Sequence, residues 1–282
     1  MPADDPPMLL SPNDPMYAIA ALFDRVAEGY DAPELRCFPA GARWLVALAD
    51  LHPGQRVLDV ATGTGAALLP AAATVGPTGQ VVGIDIAPGM LAQARQRLTE
   101  AGVTQVKVQG ADARHLPFPD ATFDAVLCSL GIFFLPDMAA ALTEWQRVTR
   151  PGGTIAFTGF GLAAFYPLVD RLVMRLQQMG VTVPDVLAAQ LLPLPEEYLA
   201  LVEHAGLVAA TMTRKQFGYF LPNGDAWWQV VWHSGFRGLF TGLPPDQIAQ
   251  IHDAHLRDIL DLRTSVGLWL DVPLVGVVGR RP

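Results

Sequence analysis

Two aspartates and a pair of glycines have the types and spacing to do chemistry in this chain. Asp59 opens the stretch Asp59-Val60-Ala61-Thr62-Gly63-Thr64-Gly65. Glycines so spaced make a tight turn whose backbone can come close to a ligand, because no Cβ stands in the way. Asp85 lies twenty residues beyond Gly65, at the end of Gln80-Val81-Val82-Gly83-Ile84-Asp85. A carboxylate there can accept hydrogen bonds from two vicinal ribose hydroxyls. The implied chemistry is capture of a nucleotide-like ligand, either a nicotinamide dinucleotide or S-adenosylmethionine. The dinucleotide fingerprint wants a small residue three positions after the second glycine, where this chain has Leu68. Without a pyrophosphate cradle, a phosphate-free adenosine ligand fits better.

Proton transfer would need a base, and six histidines are candidates. His233 follows the cluster Trp227, Trp228, Trp232, and His255 shares a helical face with Ile251, Ile259 and Leu262. These two are the candidate catalytic residues, weighed against the commoner role of a histidine beside apolar residues as a satisfied core group. Trp228, Trp232, Tyr166 and Phe133 are candidates to line a flat substrate. Cys37 and Cys128 are isolated and acids and histidines do not cluster. No metal site is therefore expected, and the thiols are read as reduced.

These residues need elements to hold them. Helical spacing over 15–31 puts Ile19, Leu22, Phe23 and Val26 on one face, and a second helix over 34–51 stops at Pro53-Gly54. Strands and helices then alternate: strand 55–60, helix 64–75, strand 80–85, helix 88–101, strands 105–109 and 122–128, helix 137–149, strand 153–159. Such alternation predicts a parallel sheet with helices on both faces. Apolar residues from Leu162 to Met179 recur at helical spacing and predict a cap. A helix over 195–206, a strand over 207–217, a helix over 245–262 and a last strand over 265–278 complete the chain. Residues 1–14, acidic and proline-rich, read as a flexible tail without a secretory signal. Residues 15–282 read as one domain: a core of about 53–160, 195–217 and 264–279, with a cap from 15–52, 162–194 and 220–262.

The glycine turn resembles motif I of class I S-adenosylmethionine-dependent methyltransferases, in the branch containing the ubiquinone/menaquinone-biosynthesis C-methyltransferases. Four further segments match in order: Asp85-Ile86-Ala87-Pro88-Gly89-Met90-Leu91, Gly110-Ala111-Asp112-Ala113-Arg114-His115-Leu116-Pro117-Phe118, Phe123-Asp124-Ala125-Val126-Leu127-Cys128-Ser129, and Arg150-Pro151-Gly152-Gly153. Ala61 departs from the glycine that many members carry. The resemblance implies a Rossmann-like α/β fold with a seven-stranded, mostly parallel sheet and a helical cap. Its last strand would enter antiparallel between the fifth strand and the strand preceding it in sequence. It implies S-adenosylmethionine as cofactor, with Ala61, Thr62, Gly63 and Gly65 under its methionine and ribose. Asp59 would hold that turn through backbone N–H groups and ordered water, and Ile86 and Met90 would sandwich the adenine. Asp112 would accept the adenine amine, Ala113 would offer its N–H, and Tyr30 would lie near the methionine end. Ser129 and Leu130 would stand where sulfonium and nucleophile meet.

A net charge of −8 with no basic stripe argues against nucleic acid as partner. No run of about 18 uncharged apolar residues suggests a membrane span. The chain reads as cytoplasmic, a monomer or homodimer. Its acceptor would be a small apolar or aromatic molecule of secondary metabolism, quinone-like, polyketide, terpenoid or phenolic, methylated on carbon or oxygen. The alternatives are a protein that binds S-adenosylmethionine without transferring methyl, and a nicotinamide-dependent dehydrogenase.

Overall fold

The computed structural model describes residues 10–184 and 195–282. Its centre is a seven-stranded sheet of β1 (Arg56–Val60), β2 (Gln80–Asp85), β3 (Val106–Gly110), β4 (Phe123–Ser129), β5 (Thr149–Phe160), β6 (Val208–Gln216) and β9 (Pro273–Arg280), in the order β3-β2-β1-β4-β5-β9-β6. Only β9 runs antiparallel to its neighbours, β5 and β6. The expected fold class and the place of the last strand are both seen. β2 and β3 follow β1 to one side while β4 and β5 build to the other. The strand order therefore reverses between β1 and β4, and ligands bind outside the carboxyl ends at such a reversal.

The helices that cover the sheet are α2 (Cys37–Leu48), α3 (Leu68–Val75), α4 (Pro88–Glu100), α5 (Met138–Val148) and α7 (Pro195–His204). One core cluster joins Val57, Leu68, Ala71, Val75, Val81 and Ala94, and another includes Trp145, Phe157 and Tyr198. α3 begins at Leu68 rather than 64, because residues 62–67 are spent on the turn, where Gly65 has φ +82° and donates to the Thr62 carbonyl at 2.9 Å.

α1 (Pro15–Val26) lies over the carboxyl ends of the strands. Asp14 caps it through the Met16 N–H at 2.8 Å, and Pro15 sits where a missing N–H costs nothing. Asp14 is thus part of the fold rather than of a tail. Two further bonds pin α1: Asp14 accepts from Arg114 at 2.7 Å, and Asp24 accepts from the Gly89 N–H in the first turn of α4 at 2.6 Å.

The region after Phe160 departs most from expectation. Residues 161–167 form turns with positive φ at Ala163 and Phe165, and α6 (Leu168–Gln178) starts only after Pro167. A proline disfavours helical backbone at the residue before it. Residues 185–194 of the expected cap lie outside the described residues. The expected strand 265–278 is two strands. β8 (Leu268–Leu270) pairs antiparallel with β7 (Tyr219–Leu221) in a separate two-stranded sheet, and β9 starts at Pro273. Between them stand α8 (Gly224–Trp232), a 3-10 turn at Gly235–Phe240 and α9 (Pro245–Asp258). Arg175 grips Asp258 with two bonds of 2.6 and 2.7 Å, joining α6 to α9.

Candidate active site

The turn after β1 is held chiefly by Asp85, not by Asp59. The Gly63 N–H donates to Asp85 Oδ2 at 2.8 Å, and the Ala87 N–H donates to Oδ1 at 3.0 Å. Each oxygen keeps a further lone pair for a hydroxyl. Burial pushes the Asp85 carboxyl above its usual range while these N–H bonds pull it back. Asp59 accepts from the Thr62 hydroxyl at 2.5 Å, and among the described residues no backbone N–H donates to it. It is 1% exposed, and its buried Oδ1 finds no partner among the described residues. Burial raises its pKa to about 7.

Two residues without glycine's freedom take left-handed backbone at the strand ends, Ala61 at φ +52° and Leu130 at φ +56°. Backbone strain of this kind collects at ligand sites. They face a narrow slot between the strand ends and α1. Its walls include Tyr30, Ala61, Gly63, Asp85, Ile86, Met90, Asp112, Ala113, Ser129 and Leu130. Of the residues assigned to cofactor from sequence, Asp59, Thr62 and Gly65 lie beneath the turn and build it instead of facing the slot. Gly63 turns its bare face to open space, since nothing lies within 4 Å of where a Cβ would stand. Asp112 is held by Arg114, whose Nε and Nη2 reach Asp112 Oδ2 at 3.0 and 2.7 Å. These residues fit an adenosine ligand: unspent acceptors on Asp85, an open glycine face, and an apolar pair in Ile86 and Met90. Sequence reasoning missed Met16, Ile19, Phe23, Gly131, Phe134 and Leu135 in the same walls. The helical face of α1 had pointed to Ile19 and Phe23.

A cavity of ≈ 660 Å³ opens from the slot, and the two share Ile19, Phe23, Tyr30, Leu130 and Phe134. Phe133, a candidate to line a flat substrate, stands in its wall with Phe134, Phe160, Phe165 and Phe236, which were unforeseen. Edge-to-face contacts at 5.0 Å link Phe160 to Phe165 and Phe165 to Phe236. Ser234, Thr182, Thr241 and Gln247 add neutral polar groups. Among the described residues, the titratable side chain on this wall is Tyr30, whose phenol burial pushes upward, so it stays protonated.

The other sequence candidates stand elsewhere. Tyr166 is 54% exposed and outside the cavity walls, because the turn before Pro167 points it to solvent. Trp228 and Trp232 line a separate groove. His233 caps the end of α8 and packs on Gly29, where a Cβ would meet its ring at 1.8 Å, and its Nε2 pairs with Gln229 Oε1 at 3.0 Å. His255 is fully buried, accepts from the Trp227 indole N–H at 2.7 Å, and is pushed down to about 4 by burial. Neither histidine reaches the cavity, so neither stands where a base would act. Among the described residues no group of three or more His, Cys, Asp or Glu is placed to hold a metal ion. No described helix is long and apolar enough to cross a membrane.

Comparison with known proteins accords with this geometry. A family model described as a methyltransferase domain matches residues 57–153. The nocamycin O-methyltransferase of Saccharothrix syringae is 30% identical over 273 residues, covering 92% of this chain and 97% of the relative. The demethylmenaquinone methyltransferase of Symbiobacterium thermophilum is 33% identical over 230 residues, covering 73% of this chain and 90% of its own. Among solved structures, the YcgJ protein of Bacillus subtilis shares the fold at 22% identity with a TM-score of 0.57, covering 86% of this chain and 98% of that one. With the slot built from the strand-end residues and the relative matched along nearly its whole length, the chain belongs to the class I S-adenosylmethionine-dependent methyltransferases.

Proposed function

We propose that this methyltransferase acts on a carbon or oxygen nucleophile of a small, largely apolar or aromatic metabolite seated in the ≈ 660 Å³ cavity. The observation that carries this reading is the junction of the two spaces at Tyr30, Leu130 and Phe134, where a wall of phenyl rings begins beside the cofactor slot. When bound, S-adenosylmethionine supplies a methyl group already activated for displacement. The chain's own work is then alignment and exclusion of water. Asp85 and the Gly63 turn fix the adenosine end, while Phe133, Phe160 and Phe236 stack and dehydrate the acceptor. The Tyr30 hydroxyl, protonated and at the junction, can hold an acceptor oxygen by donating to it. A cavity of this size suits a ligand of several fused rings.

Relatives named for O-methylation of nocamycin and for methylation of demethylmenaquinone support an acceptor from secondary or quinone metabolism, and leave both atoms open. The test is transfer of labelled methyl to a panel of quinones, phenols and polyketide-type enols, with Phe133→Ala alongside. Turnover of an apolar ring acceptor that falls in Phe133→Ala supports the reading. Turnover confined to charged acyclic acceptors contradicts it, and cofactor binding without any turnover would favour a non-transferring role.

A further inference from the structure

The groove holding the displaced tryptophans has no part in the reading above. Trp228 and Trp232 stand one turn apart on α8 with rings 18° from parallel and centroids 6.1 Å apart. Phe240 meets the Trp228 ring edge-on at 5.3 Å. The Arg237 guanidinium lies 4.4 Å over the Trp232 ring, and its Nη1 donates to the Arg25 carbonyl at 3.2 Å. The space they enclose with α9 is ≈ 560 Å³. It shares Leu243 with the acceptor cavity and no residue with the cofactor slot.

Charge in this groove is uncompensated. Among the described residues no carboxylate lies within ion-pair distance of Arg25 or Arg237. Burial, then the charge of Arg25, draws Arg237 below the usual arginine range. The nearby acids, Asp225 and Asp253, sit beside His252 on the Trp228 side, away from the guanidinium on Trp232. A half-buried cation without a counterion gains most from an anion, and a guanidinium fork suits a carboxylate. The stacked indoles, with Phe240, give an aromatic wall against which a further ring can pack.

We propose that this groove is a second binding site, for a planar aromatic carboxylate whose ring rests on Trp228 and Trp232 and whose acid group lies between Arg25 and Arg237. The site is separate from the methyl acceptor's and does not depend on what that acceptor is. The test titrates the full chain with 2-naphthoate and with neutral 2-naphthol, following the indole N–H signals of Trp228 and Trp232 by NMR. Naphthoate should shift both signals and bind about tenfold or more tighter than naphthol, the size of a charge-assisted hydrogen bond. Arg237→Gln should weaken naphthoate by about tenfold, and Phe133→Leu, in the acceptor cavity, should leave it unchanged. Arg25 is exposed, so Arg25→Gln keeps the fold and should weaken naphthoate about threefold or more. Equal affinity for naphthoate and naphthol, or an affinity unmoved by Arg25→Gln, would overturn the proposal. So would binding lost in Phe133→Leu while both arginine variants bind normally.

Discussion

The Cβ of Ala61 occupies the room left by Gly131: a Cβ built on Gly131 would stand 2.7 Å from it and 3.0 Å from Cys128 Sγ. The carboxyl ends of β1 and β4 therefore meet at one small residue and one glycine, in the wall of the cofactor slot. Gly131 has φ −116°, which any residue adopts, so its constraint is steric alone. Gly131→Ala should destabilise the chain by about 1–3 kcal/mol, the usual cost of overpacking. Ala61→Gly frees the contact and relieves the left-handed backbone at Ala61, and the double variant should recover most of the loss. Urea unfolding of the four proteins reads this coupling, and strict additivity would contradict it.

The bare Gly131 leaves room for the alanine Cβ at position 61, a relation between two distant residues that sequence reasoning could not see. The strands, the turn and Asp85 were legible because parallel strands buried on both faces are continuous apolar runs, and the acid and glycines follow within a few residues. What the turn's hydrogen bonds do was less legible. Asp59 and Asp85 are both strand-end acids, and only the structure shows Asp85 taking the Gly63 N–H and Asp59 the Thr62 hydroxyl. The cap was least legible. Periodicity shows that Trp228 and Trp232 share a helical face but not what the face meets. Likewise Leu162 to Met179 looks continuous although Pro167 divides it.

Asp59 ties stability to pH in an unusual direction. Its folded pKa of about 7 lies above the ordinary aspartate value of 3.8, so between these values the folded state binds more protons than the unfolded state. Its contribution is therefore full below pH ~4 and is lost as pH rises through ~7, roughly 4 kcal/mol at most. Asp59→Asn keeps the shape without the charge. The stability difference between variant and wild type should grow in the variant's favour from pH 4 to 8. A pH-independent difference in urea midpoints would contradict this origin.

His255 works in the opposite sense. Its folded value of about 4 lies below the ordinary histidine value of 6.5, so the unfolded state takes up the proton first. The stability it contributes is present above pH ~6.5 and lost as pH falls through ~4, about 3 kcal/mol in all. His255→Gln should reduce this acid sensitivity while keeping methyl transfer within about threefold of wild type, because its ring meets Trp227 and not the cavity. A drop of about a hundredfold in kcat with intact folding would restore it as a catalytic candidate.

Arg114 joins Asp112 in the slot wall to Asp14 at the start of α1. Asp14→Asn removes the ionic half of that tie and leaves a group that can still cap α1. Cofactor dissociation, followed by stopped-flow fluorescence, should quicken about two- to fivefold and lose part of its salt dependence. An unchanged rate and salt response would mean that α1 is held by its apolar face and the Asp24–Gly89 bond alone.

The most direct measurement is calorimetric titration of S-adenosylmethionine into wild type, Asp85→Asn and Asp85→Ala, with NAD as control. Wild type should bind the adenosine ligand and not NAD. Asp85→Ala should weaken it about a hundredfold or more, since two hydroxyl partners and the brace on Gly63 go together. Asp85→Asn, able to keep one acceptor, should fall between. Undiminished binding in folded Asp85→Ala would contradict the placement of the cofactor at the end of β2.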